Sequence, residues 1–252
     1  EPQRLRDEAD KMRRDIDAQR ADMLKKAKDD ARKVLVKAQR ESEQLIDEAK
    51  QLMKQVMELP EEKREIVADN VFRQMCDTRT PQGILTVLKK PVWTVEDILK
   101  GDAPLVMVLE DLQDPGNAGT IFRTGEGAGV SGVFLTKTCV DITNPKVIRS
   151  TMGSVYRMPF LYVEDVVSLK AELEQKGIRT FAAHLKGKNS YDQEDYQGGT
   201  AFLIGNEGNG LTEEAAEAAD CLIRIPMCGK VESLNAAMAA GILMYEAARQ
   251  RR

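Results

Sequence analysis

Three short stretches of the sequence combine polar side chains with glycine, as binding sites for small molecules and nucleic acids do. The first, residues 114–123, contains Asn117 and Arg123 and follows an apolar run at residues 105–109. Open α/β sheets place their sites at the carboxyl ends of strands, so this position favours a functional loop. We predict that Asn117 caps the next helix and that Arg123 lies inside it, close to one face with Asn117. The alternative is that neither residue has a role in function: Asn117 would then only cap the helix, and Arg123 would only form a surface salt bridge.

The second stretch, residues 203–211, places Glu207 among three glycines directly after another apolar run. Glycine lets a backbone approach a ligand closely, because no Cβ atom stands in the way. The alternative is a plain flexible turn.

The third stretch joins Ile225-Pro226-Met227 at a strand end to Ser233-Leu234-Asn235 at a helix start. Ser233 is predicted to be the N-cap of that helix. An exposed helix N-terminus also attracts a carboxylate or another anion.

Other patterns exclude several function classes. The glycines of residues 125–129 end a helix, whereas a dinucleotide fingerprint must follow a strand and open one. His184 is the only histidine and has no evident nucleophile beside it, so a hydrolase triad is not indicated, and we expect a packing residue. The four cysteines form no CxxC pair, which predicts free thiols in a reducing cytosol and no metal site.

The elements that must position these stretches alternate between strand and helix from residue 104 onward. Short apolar strands separated by helices predict an α/β fold, with a parallel sheet covered by helices on both faces. The predicted strands are 105–109, 133–136, 160–163, 180–184, 201–204 and 221–225. The predicted helices are 118–128, 145–152, 165–176, 212–219 and 233–249.

The first 57 residues are highly charged and contain no glycine. Met23, Val34, Leu45 and Val56 recur every eleven residues. Eleven residues in three turns suit a long, nearly straight or gently right-handed coiled coil. A helix this polar buries little apolar surface alone, so we predict a partner helix, from another copy or another protein. The alternative is a solvated helical extension without a specific partner.

Residues 58–100 are predicted to connect this helix to the α/β region. We expect a helix at residues 61–76, a short strand at 84–88 and one more helical turn at 92–100, which Gly101 ends.

Composition limits the partners and the compartment. The chain has 252 residues and a formal net charge of −4, so an RNA site must be a local basic patch. No apolar run reaches the roughly 18 residues of a membrane span, and the N-terminus is charged from the start, unlike a signal peptide. We therefore expect a cytoplasmic protein that does not contact a membrane.

Taken together, the three stretches resemble the motifs of the SPOUT superfamily, in its SpoU (TrmH-like) branch. The resemblance covers residues 101–252 well and residues 64–91 more loosely. It rests on three motifs in the family's order: Asn117, Gly119 and Arg123; Gly205, Glu207 and Gly210; and Ile225 to Met227 with Ser233 to Asn235.

The resemblance implies a methyltransferase that uses S-adenosylmethionine to methylate a ribose 2′-hydroxyl of RNA. We expect rRNA as the substrate, with tRNA as the alternative. It also implies a homodimer and a C-terminal trefoil knot, a feature that is nearly absent from other folds.

The resemblance also assigns roles to individual residues. It makes Arg123 either the base or a clamp near the ribose and phosphate. Because an arginine rarely gives up its proton, we favour stabilisation of the developing alkoxide, with phosphate-assisted loss of the proton as a further possibility. The orienting residues would be Asn117, Glu207, Ser233 and Asn235. Gly205, Ile225 and Leu234 would hold the cofactor, and Met227, Gly210 and the loop from Ala183 to Gly187 would complete its pocket. Candidates for contacts with RNA phosphates are Lys137, Lys146, Arg149, Arg157, Lys186, Lys188 and Lys230.

The N-terminal part departs from the family, whose rRNA enzymes commonly carry an RNA-binding domain like ribosomal protein L30e. Here the charged helix of residues 1–57 stands in its place, residues 58–100 would be its remnant, and residues 101–252 the methyltransferase domain. The alternative function is a coiled-coil interaction protein in which the knotted domain dimerises or binds cofactor without turnover.

Overall fold

The computed structural model describes residues 50–76, 78 and 80–252, together with positions 23, 26, 29–30, 32–34, 36–37, 39–40 and 46–48. The chain divides into two compact units, residues 1–87 and residues 88–252.

The described residues between 23 and 58 are all helical. Met23 and Val34 of the eleven-residue pattern are exposed, Val56 is half-buried, and Leu45 lies outside the described residues. The helical state fits the sequence pattern, but the coiled coil stays a prediction because its partner helix is not part of the structure.

The connecting segment differs from its predicted form. A 3₁₀ turn, Glu61–Lys63, and the helix α1, Asp69–Met75, replace the single helix predicted over residues 61–76. That prediction is wrong because residues 64–68 between the two are not helical. The strand predicted at residues 84–88 is also wrong: no strand forms there, and Leu85, Val87 and Leu88 are exposed. An extended segment without a neighbouring strand gains no ladder hydrogen bonds.

Residues 88–252 contain a seven-stranded, fully parallel sheet, which confirms the predicted α/β fold class. Its strand order is β3-β2-β1-β6-β4-β7-β5. The strands are β1 Leu105–Leu109, β2 Gly132–Thr136, β3 Phe160–Val163, β4 Arg179–Ala183, β5 Asn189–Ser190, β6 Thr200–Ile204 and β7 Cys221–Arg224. Six of the seven were predicted to within one residue at each end. Only β5 was missed, because two residues are too few to show a pattern.

Helices cover both faces of the sheet. They are α2 Val95–Ile98, α3 Pro115–Ala128, α4 Pro145–Ser150, α5 Val166–Gln175, α6 Glu213–Ala218 and α7 Ala236–Gln250, with 3₁₀ turns at Ser154–Tyr156 and Tyr191–Gln193. The N-caps of the two site helices differ from those predicted. Asp114, not Asn117, caps α3, and Asn235, not Ser233, caps α7.

Two apolar cores lie on opposite faces of the sheet, because successive side chains of a strand point to opposite sides. In β1, Met107 belongs to one core and Val108 to the other. The first core includes buried residues of α3, α4 and α7, and the second includes residues of α2, α5 and α6. Burial on both faces explains why the central strands are continuous apolar runs.

The order of the strands reverses beside β1. From β1 the chain continues outward through β2 and β3, whereas β6, β4 and β7 lie on the other side of β1. In open α/β sheets a crevice forms at the carboxyl ends of the strands at such a reversal. The loops after β1, β4, β6 and β7 therefore meet at one edge.

None of the helices in the described part of the chain is long and apolar enough to span a bilayer. The four cysteines are free thiols. The trefoil knot stays a prediction.

Candidate active site

The carboxylate of Glu207 is the centre of a hydrogen-bond network at this edge of the sheet. It accepts hydrogen bonds from the backbone N–H groups of Gln113 (3.2 Å) and Asp114 (2.9 Å), and from Nδ2 of Asn117 (2.9 Å). Partial burial raises the pKa of Glu207, but these hydrogen bonds outweigh that effect and hold the pKa below its ordinary value. Glu207 is therefore ionised at neutral pH.

Asn117 and Asn235 extend this network to the third motif. Asn235 donates from Nδ2 to Oδ1 of Asn117 at 2.9 Å. Its own Oδ1 accepts the N–H groups of Ala237 (3.0 Å) and Met238 (3.2 Å), which caps α7. The chain Asn235–Asn117–Glu207 thus joins residues that are 118 and 90 positions apart in sequence.

The start of α3 frees the Asn117 side chain for this role. Asp114 accepts the N–H of Asn117 at 2.7 Å, so the cap comes from Asp114 and the Asn117 amide faces the network. A Cβ atom at Gly119 would lie 1.7 Å from Oγ of Ser150, so only glycine allows α4 to pack this closely on α3. Ser150 also donates to the carbonyl of Pro115 at 3.1 Å.

Arg123 and Ser233 stand outside the network. Arg123 is exposed and makes no hydrogen bond or ion pair with any described residue, whereas Asn117 is 8% exposed. Six residues along a helix turn a side chain by roughly 600°, about a third of a turn short of two full turns. The shared face predicted for Asn117 and Arg123 is therefore wrong. Ser233 is exposed and, like Arg123, has no hydrogen bond within the described part of the chain.

A cavity of about 700 Å³ lies beside the network, at the carboxyl ends of β4, β6 and β7. All six residues predicted to bind the cofactor line it: Ala183, Gly205, Gly210, Ile225, Met227 and Leu234. Glu207 and Ser233 also line it, whereas Asn117, Asn235 and Arg123 do not. His184, predicted to be a packing residue, lines it too, and its Nδ1 accepts the N–H of Lys186 at 3.1 Å.

Backbone atoms approach one another closely along the cavity. A Cβ atom at Gly205 would lie 2.1 Å from both the carbonyl carbon of Gly210 and the nitrogen of Leu211. A Cβ atom at Gly187 would lie 2.6 Å from the carbonyl carbon of Ile223. Glycine at both positions therefore lets these backbone segments pack directly against each other. Of the two, Gly205 lines the cavity itself.

Two of the predicted phosphate contacts are already paired. Arg157 forms a bidentate ion pair with Glu126, which also accepts a hydrogen bond from Ser154, and Lys137 pairs with Glu164. The hydrogen bonds from Arg157 and then Ser154 lower the pKa of Glu126 to about 2. The remaining lysines of that group, Lys146, Lys186, Lys188 and Lys230, are exposed and form no ion pair with a described residue.

Three residues that shape the site were not predicted from the sequence. Asp114 was recognisable, because an acidic residue directly before proline is a typical helix start. Glu110 accepts the N–H (2.8 Å) and the hydroxyl (2.9 Å) of Thr212, which ties the end of β1 to the start of α6. Asn206 donates to the carbonyl of Asp111 at 2.8 Å. No sequence signal marks these two contacts, since the partners are about 100 residues apart.

Comparison with known proteins gives a consistent result. The family described as the SpoU rRNA methylase family matches residues 104–245. A Synechocystis protein that is named an uncharacterized tRNA/rRNA methyltransferase is 36% identical over 188 residues, which cover 73% of this chain and 67% of that protein. The Bacillus subtilis 23S rRNA (guanosine(2553)-2′-O)-methyltransferase RlmP is 33% identical, with coverage of 71% of this chain and 70% of that protein.

Solved structures agree. The SpoU methyltransferase AviRb from Streptomyces viridochromogenes, in complex with AdoMet (S-adenosylmethionine), aligns with a TM-score of 0.60 and 30% identity over 64% of this chain and 63% of that chain. An AdoMet-bound rRNA methyltransferase from Sinorhizobium meliloti aligns with a TM-score of 0.56 and 36% identity over 59% of this chain and 57% of that chain. The chain thus spans 57 to 70% of the length of these relatives. With more than half of its residues matched by the family and all three motifs gathered at one edge of the sheet, the chain belongs to the SpoU rRNA methylase family.

Proposed function

We propose that this protein transfers a methyl group from S-adenosylmethionine to the 2′-hydroxyl of a ribose in RNA, with rRNA as the substrate. The observation that carries the proposal is the hydrogen-bond chain Asn235–Asn117–Glu207, which binds three distant motifs into one site beside the cavity. Relatives support the reaction type, since RlmP is named a 23S rRNA 2′-O-methyltransferase.

The cavity fits the cofactor in size and chemistry. Small-molecule sites commonly enclose about 300 to 1,000 Å³ and are mostly apolar, with a few fixed polar groups. Ile225, Met227 and Leu234 supply apolar walls, while Gly205 and Gly210 offer backbone groups. When bound, S-adenosylmethionine supplies a methyl group already activated by its sulfonium.

The protein side chains would orient the ribose and stabilise charge. The ionised Glu207 fixes Asn117, and Asn117 fixes Asn235, so their amides are held before substrate arrives. As the bond from the 2′-oxygen to the methyl carbon forms, the bond from that carbon to the sulfonium would break, the demethylated cofactor would leave, and the hydroxyl proton would pass to an RNA phosphate oxygen. The exposed guanidinium of Arg123 would stabilise the alkoxide that develops in this step. Ser233, exposed at the cavity, would contact the ribose or the cofactor.

The predicted homodimer belongs to this proposal. Met238 and Tyr245 lie seven residues apart on α7, a spacing that puts both on one side of the helix, and they are 60% and 48% exposed. Large apolar side chains exposed on one helix face favour an interface with a second copy. Equilibrium sedimentation of Met238→Glu with Tyr245→Glu would give a monomer, whereas an unchanged mass would contradict this interface.

The further partners and the domain limits keep their predicted form. Lys146, Lys186, Lys188 and Lys230 would meet RNA phosphates, and residues 1–57 would bind a partner helix. We retain residues 58–100 as the connector, residues 101–252 as the catalytic domain and the cytoplasm as the location.

A methyl-transfer assay tests the proposed reaction. The protein is incubated with labelled S-adenosylmethionine and, separately, with rRNA and tRNA from a strain that lacks its gene. We expect label in rRNA that resists alkaline cleavage at one phosphodiester, because a 2′-O-methyl group blocks the attack of that oxygen.

Arg123→Ala should reduce the rate by about 100-fold or more, the typical effect of losing a charge-stabilising donor. Arg249→Ala is the matched control, since Arg249 is an exposed arginine paired with Glu246 at the far end of α7. Label that appears only in tRNA would show that tRNA, not rRNA, is the substrate. Cofactor binding without transfer to either RNA would refute the enzymatic proposal and favour the interaction protein.

A further inference from the structure

One side chain closes the loop that carries Glu207. The Oδ1 atom of Asn206 accepts the backbone N–H groups of Gly208 (2.9 Å) and Asn209 (3.1 Å). The backbone of Asn206 pairs with that of Gly210 in both directions, at 3.0 and 2.9 Å. The loop from Asn206 to Gly210 is therefore fastened to itself by four hydrogen bonds.

The other half of the same amide binds a different loop. Nδ2 of Asn206 donates to the carbonyl oxygen of Asp111 at 2.8 Å. Asp111 has a positive φ of 52°, and its backbone N–H donates to the hydroxyl of Thr136 at 3.0 Å. Its carboxylate accepts Nε2 of Gln113 at 2.8 Å. Asn206 thus binds the carbonyl of Asp111, a residue whose positive φ is held in place by hydrogen bonds to Thr136 and Gln113.

Two adjacent residues therefore connect the loop after β6 to the loop after β1. Glu207 binds the N–H groups of Gln113 and Asp114, and Asn206 binds the carbonyl of Asp111. The Glu207 carboxylate already accepts three hydrogen bonds at its far end. The attachment of Asn206 to Asp111, one residue away, also fixes the backbone from which the Glu207 side chain extends.

We propose that Asn206 is a positioning residue, which holds the Glu207 carboxylate against the start of α3 and thereby sets the Asn117 amide. This inference rests on the proposed methyl transfer for its functional meaning. An amide is needed because it combines an acceptor that closes the loop with a donor that reaches Asp111. Serine would keep an acceptor for the loop but has no second arm, and alanine has neither.

The test measures the pKa of Glu207 directly. The carboxyl carbon of Glu207 is titrated by ¹³C NMR and assigned through its absence in Glu207→Gln. We expect its pKa to rise by about half a unit or more in Asn206→Ala and in Asn206→Ser, because the hydrogen bonds that hold the pKa down are loosened. The serine variant keeps the loop closed, so it serves even where Asn206→Ala is poorly folded.

Asn209→Ala is the matched control for this titration. Asn209 lies in the same loop, but its side chain makes no hydrogen bond with a described residue, so the pKa of Glu207 should not move. An equal shift in the control, or none in the Asn206 variants, would overturn the inference.

A double-mutant cycle on methyl transfer separates positioning from general damage. If Asn206 acts through Glu207, Asn206→Ser should lower kcat about tenfold in the wild-type background and have almost no further effect in Glu207→Gln. Equal losses in both backgrounds would show that Asn206 acts independently of Glu207. A wild-type protein with no transfer activity, together with the expected pKa shifts, would refute the proposed function and leave the positioning role intact.

Discussion

Replacing Gly205 by alanine tests the claim that backbone packing forms the cavity. The added Cβ atom would lie 2.1 Å from two atoms of the Gly210–Leu211 peptide and 2.3 Å from the Gly210 carbonyl oxygen. All three are backbone atoms, and the pairing of Asn206 with Gly210 keeps them from moving away. Relief of the clash therefore requires the loop to open.

The expected loss of stability follows from this geometry. One extra methyl group in a packed site costs about 1 to 3 kcal/mol, and three backbone contacts place this change at the upper end, about 3 kcal/mol. For a domain of this size, about 3 kcal/mol lowers Tm by roughly 6 to 12 °C. Affinity for S-adenosylmethionine should fall at least tenfold, because the opened loop removes backbone groups from the cavity wall.

Differential scanning calorimetry and isothermal titration with S-adenosylmethionine measure these two effects. Gly208→Ala is the matched control, since its Cβ would meet nothing closer than Oδ1 of Asn206 at 3.5 Å, an ordinary contact. Both substitutions reduce backbone freedom in the unfolded chain similarly, so that contribution cancels in the comparison. A Gly205→Ala protein as stable and as tightly binding as Gly208→Ala would refute the packing argument.

Three further predictions concern individual polar side chains. Asn235→Asp keeps an oxygen that caps α7 but loses the donor to Asn117. Its Tm should therefore stay within about 2 °C of the wild-type Tm, while kcat falls about tenfold. A kcat equal to that of the wild-type protein would show that the hydrogen bond to Asn117 is dispensable. Arg251→Met should lower the free energy of unfolding by about 2 kcal/mol or more in urea titrations, because the guanidinium donates to three backbone carbonyls; an unchanged midpoint would contradict this. The pKa of Glu126 falls from 4.5 to about 2 beside Arg157, so this pair stabilises the fold above pH 4.5 and loses its effect as the pH falls towards 2. Urea midpoints at pH 5 and pH 3 should therefore differ less in Glu126→Gln than in wild type, and an identical pH dependence would exclude this contribution.

The local sequence pattern was sufficient to predict a helix or strand wherever the residues of that element alone determine its structure. The apolar runs of β1 and β3 were located to the residue. All five residues of β1 are buried, and a strand buried on both faces must be apolar throughout, whereas in the edge strand β3 only Phe160 is buried and the other three residues are half-buried. Gly129 ends α3 with a φ of 81°, as its position after the helix pattern predicts. At residues 84–88 an apolar run also predicted a strand, but no strand forms there, because the run has no neighbouring strand to pair with.

The N-caps of α3 and α7 could not be predicted from the local sequence. Asn117 and Ser233 are both good cap residues, and the sequence patterns offered them as caps. In the structure α3 begins at Pro115 and α7 begins at Ala236, so the residues directly before them, Asp114 and Asn235, supply the caps. Asn235 caps α7 through Oδ1 and still donates from Nδ2 to Asn117, because the two ends of its amide serve different partners.

The sequence alone determined the alternation of strand and helix and the three motifs, because these follow from periodicity and from residue types at fixed spacing. The residues that line the cavity were predicted from the resemblance of those motifs to the SpoU branch. Three contacts depend on the tertiary structure alone: the hydrogen bond from the Asp114 N–H to Glu207, the hydrogen bond from Asn206 to the Asp111 carbonyl, and the ion pair between Arg157 and Glu126. These contacts join residues 31 to 95 positions apart. Their formation depends on which loops the strand order brings to the same edge, and no local pattern encodes that order.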